Sequence, residues 1–192
     1  MKEIRNDCKK VFKVIGFTLC FALLSALLAT DSFALSKEEI DVSVKASLDR
    51  FDKQVMGAKE FLGVSKGMLV IPNVTKAAFI IGGQYGQGAL KEGGKTVGYY
   101  SLAAGSLGYQ IGAEKFDLVI IFATDEALSK FKNSEGWEAG VDAEVTLIDA
   151  GIDVPASTLV SQNPVVGFVY GQKGLMAGVS VKGAKFTKIN PD

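Results

Sequence analysis

The sequence predicts an α+β domain: a strongly curved, mainly antiparallel, glycine-rich β-sheet or half-barrel with one long N-terminal helix and one or two short helices. Three observations carry this. Apolar residues recur at steps of three and four over 36–62, which is a helical stripe. From Gly67 onward the pattern switches to period two and to β-branched residues, and a single short helical stretch interrupts it. Glycines recur inside the strand patterns, at 82, 83, 86 and 88 and again at 98, 105, 108 and 112. Strands accept glycine where a sheet bends sharply or another backbone comes close.

The elements follow in order. Residues 1–34 read as an export signal. Lys2, Arg5, Lys9, Lys10 and Lys13 precede an apolar run from Val14 to Ala29, and Ser32-Phe33-Ala34 has the small-x-small form of a cleavage site. Cleavage is expected after Ala34, with periplasmic export. The run is shorter than the roughly 20 residues of a spanning helix. Cys20 follows Leu19 in mid-run, which is not the setting of a lipidated cysteine, so lipoprotein anchoring is not expected. Residues 35–192 are then one domain.

In that domain Ser36 and Glu39 stand at capping-box spacing before the long helix, whose stripe is Ile40, Val44, Leu48, Phe51, Val55, Ala58 and Leu62. Its other face mixes charges of both signs. Strand patterns cover 67–71, 77–86, 97–113 and 117–123. A short helix over 125–132 begins at Thr124 or Asp125. The stretch 137–147 alternates strictly and reads as a strand. The segments 164–171 and 175–183 read as a closing hairpin turned at Gln172-Lys173-Gly174, and 185–189 as a tail strand. Helices are too few to serve as crossovers for a parallel sheet. A closed or half-closed barrel around the long helix accommodates the glycines.

Composition excludes several functions. The chain has no histidine, which removes the commonest general base and every serine–histidine triad. Both cysteines, Cys8 and Cys20, fall in the leader, so thiolate and disulfide chemistry is excluded after cleavage. Of the 21 basic and 21 acidic residues the leader holds five and three, leaving 16 and 18, with no cationic excess for nucleic acid. The stretch "GGQYGQGALKEGGKT" (82–96) ends like a phosphate-binding loop. However, the required first glycine is Ala89, and a strand pattern follows where a helix would have to open. Gly93-Gly94 reads as a hairpin turn. Asp142 and Glu144, two apart on the expected strand, would share a face and form a weak candidate for acid–base work or a divalent cation.

The ordered blocks Lys66-Gly67, Lys76-Ala77-Ala78-Phe79, Gly82 to Gly88, Gly105 to Gly112, Asp117-Leu118-Val119, Gly140-Val141-Asp142-Ala143 and Gly174 to Gly183 resemble the SYLF domain family, also called the Ysc84 actin-binding family. The resemblance runs from about Ala46 to Lys188, and the leader fits its exported bacterial branch. It implies a non-enzymatic lipid-binding protein without cofactor, associated with membranes through anionic or phosphorylated headgroups. Lys66, Lys76 and Lys173 match basic positions of the family, and Lys182 is this chain's own addition; these four are the headgroup-binding candidates. Actin, a ligand of eukaryotic members, is not expected for an exported chain. The alternative is an envelope adaptor that binds another protein through its sheet edges and the aromatics Tyr85, Tyr99, Tyr100 and Tyr109.

Overall fold

The computed structural model describes residues 35–78, 81–107, 112–151, 155–174 and 180–192. The expected leader and Tyr109 lie outside them. Leu35–Asp192 forms one compact unit.

The first helix, α1 (Lys37–Gln54), starts at the expected capping box. Ser36 Oγ accepts from the Glu39 N–H at 3.3 Å, and the Glu39 carboxylate accepts from the Ser36 N–H at 2.9 Å. The single helix expected over 36–62 is divided. Gly57, with φ 71°, ends the first run and opens α2 (Ala58–Val64). The break shifts the phase of the stripe by one residue, so Phe61 is buried while Leu62 is exposed.

Eight strands follow: β1 (Gly67–Ala78), β2 (Ile81–Glu92), β3 (Lys95–Leu107), β4 (Gly112–Phe122), β5 (Trp137–Glu138), β6 (Thr146–Asp149), β7 (Val165–Gly174) and β8 (Lys185–Ile189). Helix α3 (Asp125–Asn133) lies between β4 and β5, and α4 (Ala156–Gln162) between β6 and β7. The strands form one sheet in the order β5-β8-β3-β2-β1-β4-β7-β6, antiparallel except for the β6–β7 pair.

All eight strands send side chains into one apolar cluster. Leu69, Leu90, Tyr100, Leu118, Trp137, Val165 and Phe186 are members, with Leu147 packed against it. A flat sheet cannot bring its two edge strands to one cluster, so the sheet curls around it. Phe131 of α3 plugs this interior, packed tilted or edge-on against Tyr100, Phe122 and Trp137 at ring distances of 4.8, 4.8 and 5.5 Å. The long helix is therefore outside the barrel, contrary to the expected arrangement. Its Ile40, Val44 and Phe51 cover the outer face of the sheet with Val70, Val119, Ile121 and Phe168. Both faces of β1 and β4 are consequently buried in their first and last halves respectively, and those segments read as unbroken apolar runs (LVI, LVIIF).

The glycine-rich stretch is architectural. Gly93 and Gly94 alone join β2 to β3, with φ 54° and 80°, the left-handed pair that a two-residue hairpin turn requires. A Cβ on Gly88 would stand 1.9 Å from the Val70 carbonyl oxygen, beside the register shift between Val70 and Thr75.

Two other expectations are corrected. The alternating segment 137–147 is not one strand: β5 ends at Glu138, a tight turn bridges Ala139 to Ala143, and β6 begins at Thr146 on the opposite edge. The hairpin turn expected at 172–174 is not there, because β7 runs through these residues to Gly174, and most of the expected return strand 175–183 lies outside the described residues.

Candidate functional site

The sheet is broken at adjacent points on three strands, and a cleft forms there. In β1 the register shifts between Ile71 and Val74, around Pro72, which has no N–H to give the ladder. Asn73 takes φ 50° and is left with an amide outside the pairing. The Asp117 carboxylate accepts that amide at 2.9 Å through Oδ1. The β4–β7 register shifts at the same level, between Lys115 and Asp117. In β7, Gly171 has φ 64° and donates its N–H to Gln54 Oε1 of α1 at 3.1 Å.

Arg50 of α1 closes the arrangement. Its Nε donates to Asp117 Oδ2 at 2.6 Å, and its Nη2 lies 2.6 Å from the same oxygen. The Asp117 side chain is 4% exposed and that of Arg50 36%. The hydrogen bond that Arg50 donates to Asp117 raises the Arg50 pKa above its ordinary value against the desolvation that lowers it. The guanidinium is fixed in place by a carboxylate that is itself locked to the bulge.

The resulting cleft, about 480 Å³, is lined by Arg50, Asn73, Lys115, Asp117, Gln172 and Lys173, among others. Lys115 and Lys173 are direct cross-strand partners. Antiparallel partners carry their side chains on the same face at roughly 5 Å between Cβ atoms, where like charges repel. Both are exposed, and neither has a carboxylate within ion-pair distance among the described residues. Three cations thus face one buried, engaged carboxylate, an excess of two positive charges.

The four lysines proposed from sequence do not converge. Lys173 lies in this cleft. Lys66 stands at the start of β1, at its other end, 3.4 Å from Asp125 in an exposed ion pair. Lys76 is buried on the inner face, opposite the buried Gln84 and Glu114. Lys182 lines a separate small pocket with Glu144. Asp142 and Glu144 do not share a strand face. The Asp142 carboxylate accepts from the Glu138 N–H at 2.7 Å and braces the turn. Among the described residues no group of three His, Cys, Asp or Glu side chains is placed to hold a metal ion.

The sequence points to no functional role for Arg50, Lys115 or Asp117, and Asp117 enters only through the block Asp117-Leu118-Val119. Arg50 falls on the mixed-charge face of the expected helix, and Lys115 falls between the expected strands 97–113 and 117–123. The available signal was Pro72-Asn73 within an apolar strand pattern, which marks a bulge whose freed amide needs an acceptor.

Charged side chains thus gather at a surface cleft, on a sheet whose curled interior is filled. Residues 103–190, from β3 to β8, match the Ysc84 family model, described as Las17-binding protein actin regulator. This is the family whose resemblance the sequence carries; it is a family of binding domains. The matched segment contains Lys115, Asp117, Lys173 and Lys182, whereas Arg50, Lys66 and Lys76 precede it. Comparison with curated proteins gives no match.

Proposed function

We propose that the protein is a non-catalytic lipid-binding module of the bacterial envelope, exported by its first 34 residues, that engages anionic or phosphorylated headgroups at a membrane surface. The observation that supports this reading is the excess of two positive charges in the cleft of Arg50, Lys115 and Lys173. Two lysines placed opposite each other without counter-charges raise the energy of the empty cleft, and an anion relieves it. Asp117 holds Arg50 by one edge, so the rest of the guanidinium fork is free for a phosphate oxygen. No described helix is long and apolar enough to cross a membrane, so contact through surface charge suits this part of the chain.

Co-sedimentation with vesicles tests the proposal. The protein pellets with phosphatidylglycerol or phosphatidic acid vesicles and stays in solution with phosphatidylcholine alone. The double reversal Lys115→Glu with Lys173→Glu removes the pelleting, with the melting temperature retained. Each lysine near an anionic surface contributes about 1 kcal/mol, so losing two and gaining two carboxylates lowers partitioning by at least about a hundredfold. Equal pelleting of wild type and double variant removes the cleft from the mechanism. Pelleting with no lipid at all removes the function.

A further inference from the structure

A second pocket lies at the seam of the barrel, away from the cationic cleft. The edge strands β5 and β6 are consecutive in sequence, and the turn Ala139–Ala143 carries the chain from one edge of the sheet to the other. At this turn a pocket of about 150 Å³ is lined by Ala139, Gly140, Glu144, Val145, Val181 and Lys182. Its walls are of two kinds. Ala139 and Val181 are buried members of the interior cluster, and Val145 packs against it, so the floor is the apolar top of the barrel. Glu144 and Lys182 are exposed and stand at its rim.

The frame is rigid. Gly140 N–H donates to the Ala143 carbonyl at 2.8 Å, Gly183 N–H to the Ala139 carbonyl at 2.8 Å, and Ala139 N–H to the Ala184 carbonyl at 3.0 Å. Lys130 Nζ donates to the Asp142 carbonyl from α3 at 2.6 Å. The stem of Lys182 lies over Gly140, whose missing Cβ would stand 2.9 Å from Lys182 Cγ.

The two rim charges are of opposite sign, yet they form no ion pair with each other or with any other described residue. Opposite charges across a small cavity with an apolar floor are complementary to a zwitterion: an ammonium toward Glu144, an acidic group toward Lys182 and a short aliphatic part on Val145 and Val181. A purely anionic ligand would meet Glu144, and a purely cationic one Lys182.

We propose that the seam pocket of Glu144, Lys182, Ala139, Val145 and Val181 binds a small zwitterion that carries an ammonium and an acidic group. Two sources share this chemistry, a free amino acid and a phosphoethanolamine headgroup. Calorimetric titration of the full-length protein with L-valine and with O-phosphoethanolamine tests it, with isobutylamine and isovalerate as half-ligands. At least one zwitterion binds, and each half-ligand binds at least about tenfold more weakly, since each lacks one charged contact. Glu144→Gln and Lys182→Met each weaken the zwitterion by about tenfold without moving the melting temperature, because both side chains are exposed. Binding of valine alone assigns a free amino acid. Binding of phosphoethanolamine, together with pelleting on phosphatidylethanolamine vesicles that Lys115→Glu with Lys173→Glu leaves intact, assigns the headgroup. Absence of heat with both zwitterions, half-ligands that bind equally well, or indifference to both rim substitutions overturns the proposal. The calorimetric results do not bear on the cationic cleft, whose lysines the rim variants retain.

Discussion

At the scale of single residues, the outer face of the sheet is pinned to α1 by polar groups that bury well only because each finds a partner. Tyr170 is the clearest case. Its hydroxyl donates to the Ser47 carbonyl at 3.2 Å and shares a 2.8 Å hydrogen bond with Ser47 Oγ, both ends being buried. Burial pushes its pKa far above the ordinary value, with Asp117 adding to the rise and the bond from Ser47 and the charge of Arg50 opposing it. A raised pKa means the folded state favours the protonated form. Its contribution is therefore complete below the unfolded value of about 10 and is lost as pH rises beyond it, by about 1.4 kcal/mol per pH unit. Urea unfolding between pH 8 and pH 11 checks this, about 10 being the onset expected from the tyrosine reference value. Tyr170→Phe loses about 1 kcal/mol at neutral pH from its hydrogen bonds and shows a shallower alkaline decline. An unchanged decline transfers the effect to Tyr99 and Tyr100, whose pKa values burial also raises.

At the scale of elements, the glycines divide by what a side chain would meet. In β2 a Cβ at Gly88 runs into the Val70 carbonyl at 1.9 Å, and a backbone atom cannot swing aside as a side chain can. In α2 a Cβ at Gly63 has nothing within 4 Å. Gly88→Ala is expected to destabilise by about 1–3 kcal/mol through forced separation of β1 and β2. Gly63→Ala is expected to stabilise by about 0.5–1 kcal/mol through helix propensity. Melting temperatures of the pair fall and rise respectively, and a rise in both would mean that the close approach of β1 and β2 is not obligatory. Helix starts are governed just as locally: Thr124 Oγ1 accepts from the Ala127 N–H at 3.2 Å and caps α3 where the sequence placed its beginning.

At the scale of the whole molecule, two apolar clusters share the walls β1 and β4. The inner one is closed by the curl of the sheet, and the outer one depends on the helices. Phe51 is fully buried between Phe168 and Tyr170, at ring distances of 5.4 and 5.5 Å. Phe51→Ala is expected to cost about 3–5 kcal/mol, measured by urea unfolding. Because Arg50 and Gln54 ride on the same helix, the loss also loosens the cationic cleft. Unimpaired vesicle binding by a destabilised Phe51→Ala protein would show that headgroup capture does not need α1 in place.

The sequence by itself determined the fold class and those elements whose signals are local. Local signals sufficed for the capping box at Ser36, the Gly93-Gly94 turn and the tail strand 185–189, because each depends on residues within a few positions of one another. The resemblance found in the glycine blocks agrees with the family match over 103–190. Only the tertiary structure decided the rest. Whether α1 lies inside or outside the barrel depends on which face of an all-apolar strand it covers, and a strand buried on both faces carries no alternation to say so. The seven residues between β5 and β6 look like part of one strand in sequence, yet they join opposite edges of the curled sheet, since the curl is a property of all eight strands together. Lys173, Lys115 and Arg50 are distant in sequence, and three register shifts at one level of the sheet bring them to a single cleft. Register is set by the sum of pairings across the sheet, so no short stretch of the chain contains it.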